Sequence, residues 1–190
     1  LDKDALEKFV QKIKSYDYTV DVFALVRSPY NYLCSSLQQV IKGGRYRNLI
    51  SLNDLLPIRN NVNFKQSKLV EKLKSTFQEN IQFYSFEKGC KHNYGPVGFL
   101  IEKQLKLNPS LFEYIKSNES IFNLSVRVQN EQNKLNPQII NGKKNPNYVS
   151  LLYLNKSFSS SGKFLLTENE YNFIKDYLEI ENKKYLDLLG

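Results

Sequence analysis

The chain has 190 residues, of which 41% are hydrophobic and 24% are charged, and this is the composition of a single globular domain with a full core. No apolar run reaches the roughly 18 residues that a membrane-spanning helix needs, so we expect no transmembrane segment. The formal net charge is +8. This excess favours nucleotides, acidic glycans or other polyanions as partners, although lysines scattered over solvated helix surfaces account for most of it.

The cysteine and histidine content bears on compartment and metal binding. Cys34 and Cys90 are the only cysteines, and His92 is the only histidine. Two cysteines without close spacing are typical of a reducing compartment, so we expect a cytoplasmic protein. Cys34 falls on the apolar side of its helix and is expected to be a core residue. One histidine and two separated cysteines do not form a zinc-binding pattern, and we expect no metal.

The amino-terminal part begins with an amphipathic helix. Residues Asp2–Ser15 place apolar side chains at the 3.6-residue period, and Asp2 is a candidate N-cap. A strand follows over Thr19–Arg27, which is apolar at nearly every position after Asp21. A near-continuous apolar run predicts burial on both faces, as in a parallel sheet covered by helices.

A second helix follows this strand directly. Ser28 is predicted to be its N-cap and Pro29 its first residue, because serine accepts hydrogen bonds there and proline has no N–H to lose. Gly43 and Gly44 are predicted to end it. Its inward face consists of residues at helical spacing, namely Tyr30, Leu33, Cys34, Leu37 and Ile41.

The remaining sequence predicts further helices and one more strand. In chain order these are a helix at Gln66–Glu79, a strand at Asn80–Glu87, a helix from Gly95 to about Leu105 and a short helix at Pro109–Lys116. Arg45–Phe64 is irregular, and Phe122–Tyr153, rich in Asn, Gln and Lys, gives no clear assignment. Thr167–Glu170 is a capping box that opens one long last helix to about Leu189. This order predicts a single α/β domain with an open sheet.

The junction between the first strand and the second helix carries the most informative chemistry. The strand delivers Arg27 to its carboxyl end, Ser28 and Pro29 start the helix, and Ser35 follows at the eighth position after the arginine. A guanidinium beside a helix N-terminus and a hydroxyl suits a phosphate group. The alternative is an ordinary strand-end arginine paired with a carboxylate, next to a common Ser-Pro helix start.

These residues resemble a known family. Leu25–Pro29 with Ser35 is similar to the 3′-phosphate-binding segment of sulfotransferases that use 3′-phosphoadenosine 5′-phosphosulfate (PAPS), in which a strand ends in Arg, any residue and Pro, and a helix serine follows at this spacing. The resemblance implies that Arg27 and Ser35 bind the 3′-phosphate of PAPS, or of its product 3′-phosphoadenosine 5′-phosphate (PAP). It also implies a three-layer α/β fold of the P-loop nucleoside-kinase-like type, with a parallel sheet flanked by helices.

A second segment resembles the same family more loosely. Ser159–Phe164 precedes a helix that ends in Glu181–Leu186, which is similar to the basic or glycine-containing loop and the Glu-Asn tail of bacterial carbohydrate-type sulfotransferases. The resemblance implies nucleotide contacts from Ser161, Gly162 and Lys163, because small residues and a lysine before a helix suit a phosphate. The alternative is a flexible surface loop.

The sequence departs from the family in its donor loop. The family grips the 5′-phosphosulfate with a Gly-Lys-Thr-like loop upstream of the arginine segment, but GxxxxGK[ST] does not occur in this sequence. Because so few residues precede Arg27, we expect either that this amino-terminal segment is missing from the chain or that the protein lacks a competent donor site. The general base is expected upstream as well, so no catalytic residue is assigned, and His92 is not favoured.

Phe83–Glu87 and Gly95–Gly98 also resemble the family, with no assigned role.

The expected function is transfer of a sulfuryl group from PAPS to a hydroxyl of a carbohydrate or other small-molecule acceptor. Such transfer needs donor and acceptor held in line and the developing charge neutralised. Two alternatives stay open, a noncatalytic nucleotide- or glycan-binding module and a basic nucleic-acid-associated domain. No RNP-like segment, helix-turn-helix signature or basic block occurs, so nucleic acid is not an expected partner. The sequence indicates neither the acceptor nor the oligomeric state.

Overall fold

The computed structural model describes residues 3–55, 65–114 and 120–190. Within these ranges helices dominate, and the strands form two small two-stranded sheets. The predicted α/β class is therefore confirmed. Asp2, the predicted N-cap, lies outside the described residues. The predicted helix at Pro109–Lys116 is wrong in its described part, where only a 3₁₀ turn over Pro109–Leu111 forms and Phe112 is extended. No helix within the same ranges is both long and apolar enough to cross a membrane.

The elements of these ranges are numbered in chain order. They are α1 (Lys3–Lys14), β1 (Val22–Val26), α2 (Pro29–Lys42), α3 (Leu52–Leu55), α4 (Gln66–Phe77), β2 (Ile81–Ser85), α5 (Phe86–Cys90), α6 (Gly95–Leu100), α7 (Asn123–Leu135), β3 (Ile139–Ile140), β4 (Lys143–Lys144), α8 (Glu168–Asn172) and α9 (Lys175–Leu189). Segments of 3₁₀-helix cover Gln78–Asn80, Pro109–Leu111 and Leu152–Ser161, and the last of these is kinked at Phe158. The helix predicted from Gly95 begins there, and its last turn, Ile101–Leu105, widens into a π-helix.

The chain divides into two compact units. The first comprises Leu1–Pro29, Lys65–Ile115 and Ile180–Gly190, and the second comprises Tyr30–Phe64 and Lys116–Glu179. The carboxyl-terminal part of α9 thus belongs to the first unit. The expectation that residues 1–190 form one sulfotransferase-like domain stays a prediction.

A parallel strand pair organises the first unit. β1 and β2 pair along their whole length, from Val22 opposite Ile81 to Val26 opposite Ser85. Parallel neighbours need a long crossover connection, and here the chain leaves β1 at Arg27 and returns to β2 through α4.

Both strands are shorter than their apolar patterns predict. β1 does not extend over Thr19–Arg27, and β2 does not extend over Asn80–Glu87, because the ladder between them ends at Val26 and Ser85. The prediction that the first strand is buried on both faces is also wrong, since Phe23 is 39% exposed. In the part of the chain that the structure describes, β1 has a single neighbour, and hydrophobicity alone overstated its burial.

The core of the first unit joins β1, α4 and α9. Val26, Val70 and Tyr185 are buried against one another, and Phe83, Leu188 and Leu189 pack around them. These contacts cover one face of the strand pair with two helices.

A buried carboxylate ties α9 to the start of α4. Glu181 is only 4% exposed. It accepts hydrogen bonds from the backbone N–H of Ser67 at 2.8 Å and from the hydroxyl of Ser67 at 2.9 Å. The bonds satisfy a free N–H in the first turn of α4 and place a negative charge at the positive end of its dipole. Part of the Glu-Asn tail thus has a structural role.

Removal of this carboxylate should destabilise the protein. Glu181→Ala leaves the buried N–H and hydroxyl of Ser67 without partners, so we expect the free energy of unfolding to fall by about 2 kcal/mol. Urea unfolding followed by circular dichroism measures the change. Glu179→Ala, at an exposed position of the same helix, is the matched control and should cost less than about 0.5 kcal/mol. Equal losses in the two variants would contradict the role assigned to Glu181.

In the second unit α2 buries its predicted face. Leu33, Cys34, Leu37 and Ile41 are all buried, as their helical spacing predicts. They belong to one cluster with residues that come later in the chain, Ile121, Val126, Phe164, Leu166, Ile174 and Leu178. Burial raises the pKa of the Cys34 thiol, so this residue is an inert part of the core, as expected.

The segment without a sequence assignment, Phe122–Tyr153, contains α7 and the hairpin of β3 and β4. α7 turns amide side chains into the interior, where Gln129, Asn130 and Asn133 are buried. Their partners are mainly backbone groups. Asn130 bonds the N–H and the C=O of Arg47 at 2.9 and 2.8 Å, Asn133 donates to the C=O of Ile41 at 2.8 Å, and Gln129 accepts from the N–H of Leu151 at 2.6 Å.

The predicted capping box is present at Thr167–Glu170. The Thr167 hydroxyl accepts from the N–H of Glu170 at 3.3 Å, and the Glu170 carboxylate accepts from the N–H of Thr167 at 2.7 Å. The prediction of one long last helix is wrong, because α8 ends at Asn172 and α9 begins at Lys175. The apolar spacing continues across the break and therefore does not reveal it.

Glu170 also forms a bidentate ion pair with Arg127. The two guanidinium Nη atoms lie 2.7 and 2.8 Å from the carboxylate oxygens. Burial of the carboxyl favours its protonated form. The hydrogen bonds from Arg127 and from the N–H of Thr167 outweigh that effect and hold the pKa of Glu170 below its ordinary value.

Stability should therefore depend on the charge of Glu170. Because its pKa is lower in the folded state, its contribution is complete above the ordinary value of 4.5 and is lost as the pH falls through the folded pKa. At neutral pH Glu170→Gln should lower the free energy of unfolding by about 2 kcal/mol. The gap between the two proteins should shrink when urea unfolding is repeated in acid. A gap that does not change with pH, or one equally large for the exposed Glu168→Gln, would rule out this assignment.

Candidate functional site

The two strands of the parallel pair end side by side. Val26 and Ser85 are the last partners in the register, so Arg27 and Phe86 leave the sheet at the same edge. The carboxyl edge of a parallel sheet is where α/β proteins bind ligands, because the chain turns there into loops and helix N-termini. We call this edge, from Arg27 to Pro29 and from Ser85 to Lys88, the strand-end site.

Arg27 lies against an aromatic ring in the strand-end site. Its Cζ is 3.8 Å from the centroid of the Phe86 ring, which is a cation–π distance. Among the residues that the structure describes, no carboxylate lies within ion-pair distance of Arg27. The alternative of a strand-end arginine paired with a carboxylate is thus not seen in these ranges. A stacked guanidinium keeps its N–H edge available, and bidentate phosphate binding uses that edge.

Glu87 brings a negative charge to the same site. One carboxylate oxygen accepts from the N–H of Ser28, just before α2, at 3.4 Å, and the other accepts from the Ser85 hydroxyl at 3.1 Å. A carboxylate near the start of a helix is stabilised by the helix dipole. The same charge opposes a phosphate at the N–H of Ser28, so the Arg27 guanidinium is the main anchor for an anion here.

The carboxyl-terminal helix lies close to Glu87 within the first unit. Tyr185 of α9 is buried, and its burial, followed by the charge of Glu87, raises the pKa of its phenol. The phenol is therefore neutral at physiological pH. The Glu-Asn tail contributes packing and helix capping to this unit through Tyr185 and Glu181.

Ser35 lies in α2, within the second unit, and is half-buried. Its hydroxyl makes no hydrogen bond to any residue in the described ranges, so it keeps its donor and its acceptor capacity. Arg27 belongs to the first unit and Ser35 to the second. Their joint binding of one phosphate stays a prediction.

Ser161, Gly162 and Lys163 lie against the start of α7 in the second unit. The Ser161 hydroxyl donates to the C=O of Phe158 at 2.7 Å and accepts from the N–H of Leu124 at 3.0 Å. Gly162 has φ +68°, a left-handed conformation that favours glycine, and Lys163 is exposed beside it. Protein groups already occupy the Ser161 hydroxyl, so Lys163 is the member of this segment best suited to meet an anion. The nucleotide contact of the segment stays a prediction.

His92 is engaged at both ring nitrogens. Nε2 lies 3.0 Å from a carboxylate oxygen of Glu102, and Nδ1 accepts from the N–H of Tyr94 at 3.2 Å. This pattern assigns the ring proton to Nε2. The hydrogen bond from His92 lowers the pKa of Glu102. Both ring nitrogens of His92 thus have local partners, Glu102 and the backbone of Tyr94.

Sequence reasoning did not find two residues of the strand-end site. It noted that Phe83–Glu87 resembles the family but gave Phe86 and Glu87 no role. The available signal was the order strand, helix, strand, which predicts parallel pairing and so brings the residues after each strand to one edge. Within the described part of the chain, no group of three or more His, Cys, Asp or Glu could hold a metal ion.

Comparisons with protein-family models, with curated proteins and with solved structures found no match to this chain. The chemistry of the residues is therefore what indicates a function. In the strand-end site this chemistry is a guanidinium stacked on a ring, a neighbouring carboxylate and the start of a fourteen-residue helix.

Proposed function

We propose that this protein is a PAPS-dependent sulfotransferase that transfers a sulfuryl group to a hydroxyl of a carbohydrate or another small molecule. The observation that carries the proposal is the position of Arg27. It follows a parallel strand, stacks on Phe86 and has no described carboxylate as ion-pair partner. A cation placed in this way fits the 3′-phosphate that distinguishes PAPS from other adenine nucleotides.

The proposal includes the finer fold implied by the resemblance. β1 and β2 would be two neighbouring strands of a larger parallel sheet, in a three-layer arrangement of the P-loop nucleoside-kinase-like type. The helices on the core side of the strand pair, α4 and α9, support this view, because such sheets are covered by helices. The α/β class alone does not distinguish this fold from others.

In the proposed reaction this chain holds and orients the nucleotide. PAPS supplies the sulfuryl group, which passes to the acceptor oxygen as the bond to the phosphate oxygen breaks. Arg27 and Ser35 would bind the 3′-phosphate and so fix the distance between donor and acceptor. Lys163, with Ser161 and Gly162, is the second proposed contact to the same nucleotide. The general base is not assigned.

A noncatalytic nucleotide- or glycan-binding module is the second candidate. The absence of GxxxxGK[ST] from this sequence favours it, because the donor's 5′-phosphosulfate then has no recognised lysine loop here. Consumption of PAPS by the protein distinguishes the two candidates. Binding of PAP without turnover would support the module.

Arg27→Ala should weaken PAP binding by roughly 10- to 100-fold, because a charge-assisted pair with the 3′-phosphate is lost. Affinity for 5′-AMP, which lacks that phosphate, should hardly change. Isothermal titration at one fixed ionic strength measures both ligands. Arg45→Ala removes the same charge from an exposed position of the second unit and is the matched control.

Three results would argue against the proposed site. They are PAP binding no tighter than AMP binding, an equal loss in Arg45→Ala, and no loss in Arg27→Ala. Tight binding of single-stranded RNA with a steep salt slope, unaffected by PAP, would instead support a nucleic-acid-associated domain.

Glu87→Gln should have the opposite effect on the same ligand. The amide oxygen still accepts from the N–H of Ser28, but the negative charge beside the phosphate is gone. We expect PAP to bind about threefold more tightly at low ionic strength, with a smaller gain as salt is added. Glu79→Gln, at the amino end of β2 and therefore far from the strand-end site, is the control. A loss of affinity in Glu87→Gln would show that the carboxylate supports nucleotide binding.

A further inference from the structure

The second unit contains a cavity with a mixed polar and apolar lining that the proposed function does not use. It has a volume of about 220 Å³ and lies where the segment Tyr46–Ile50 meets α7. Pockets for drug-sized ligands are typically about 300–1,000 Å³, so this one suits a ligand of a single ring. Its lining has seven polar residues, Tyr46, Arg47, Asn48, Arg127, Asn130, Glu131 and Glu170, beside the apolar Leu49 and Ile50.

Arg47 brings an unsatisfied cation to this cavity. Its Nε is buried and has no hydrogen-bond partner. No carboxylate in the described ranges forms an ion pair with it. Burial lowers the pKa of the guanidinium, and nearby Asp54 partly offsets this, but the group remains charged at neutral pH. A half-buried donor without an acceptor is destabilising, and an anionic ligand would remove that cost.

Of the charged side chains that line the cavity, Arg47 is the cation that remains available to bind an anion. Arg127 is already neutralised by Glu170 at 2.7 and 2.8 Å. Glu131 is exposed and forms no ion pair within the described ranges, so it can accept hydrogen bonds from ligand hydroxyls. The backbone of Arg47 is held on both sides by Asn130, which fixes its position before a ligand arrives.

We propose that this cavity binds a hydroxylated ring that carries one oxyanion. Arg47 pairs with the oxyanion, while Glu131 and Asn48 bond the hydroxyls. A uronic acid has this chemistry, and a sulfated monosaccharide shares it. The proposal is independent of nucleotide binding at Arg27, and each can fail without the other.

Ligand-observed saturation-transfer NMR and titration calorimetry on the whole chain test this site with three probes. Glucuronate carries a carboxylate, N-acetylglucosamine 6-sulfate carries a sulfate, and glucose is the neutral control. We expect roughly millimolar affinity for at least one charged sugar, and glucose at least about tenfold weaker. Binding of one charged probe only identifies which oxyanion the cavity prefers.

Arg47→Gln should abolish the binding of the charged sugar, whereas Arg45→Ala, which removes an exposed charge two residues away, should retain it. Because the Arg47 side chain makes no hydrogen bond or ion pair in the described ranges, Arg47→Gln should melt no lower than the parent chain. Failure of both charged sugars to bind at about 20 mM, equal binding of glucose, or equal loss in the two variants would overturn the proposal. A large drop in melting temperature for Arg47→Gln would also overturn it, because the residue would then be structural.

Discussion

The register of β1 with β2 is the constraint on which the strand-end site depends. The pairing of Val26 with Ser85 places the residues that follow, Arg27 and Phe86, against each other at 3.8 Å. A slip of one residue would send the side chains of β2 to the opposite faces of the sheet and separate the ring from the guanidinium. The core contacts of Val26 with Val70 and Tyr185 hold the pairing, so the site depends on the packing of α4 and α9.

In the strand-end site the positive charge of Arg27 attracts an anion and the negative charge of Glu87 repels it. Glu87 takes the N–H before α2, while Arg27 stays without a described carboxylate partner. A carboxylate close to a cation lowers the affinity for any anion and discriminates against those that fit poorly. In the second unit Arg127 and Glu170 neutralise each other, and Arg47 is left unpaired. Arg27 in the first unit and Arg47 in the second are thus both without an ion-pair partner in the described ranges.

Local pattern accounts for much of the fold and for part of the site. Pro29 at a helix start, the buried stripe of α2 and the capping box at Thr167 all depend on neighbours within about one helical turn, and all three are present. The contacts of Glu87 with Ser28 join residues 59 positions apart, and no single-sequence pattern encodes such a pair. For the same reason both predicted strands are longer than the observed ones, because a strand ends where its pairing with a distant segment ends.

The sequence pattern does not predict α7, because its inward face consists of amide side chains, which are usually found at the surface. Gln129, Asn130 and Asn133 attach it to particular backbone atoms. A helix that packs through aliphatic side chains can shift by one turn and still bury apolar surface. In α7 the same shift would leave several buried amide and carbonyl groups without hydrogen-bond partners, at a cost of several kcal/mol. The hydrogen bonds of the buried amides therefore favour one position of α7 in the second unit. A folding intermediate with α7 shifted by one turn lacks these hydrogen bonds and is less stable than the native arrangement.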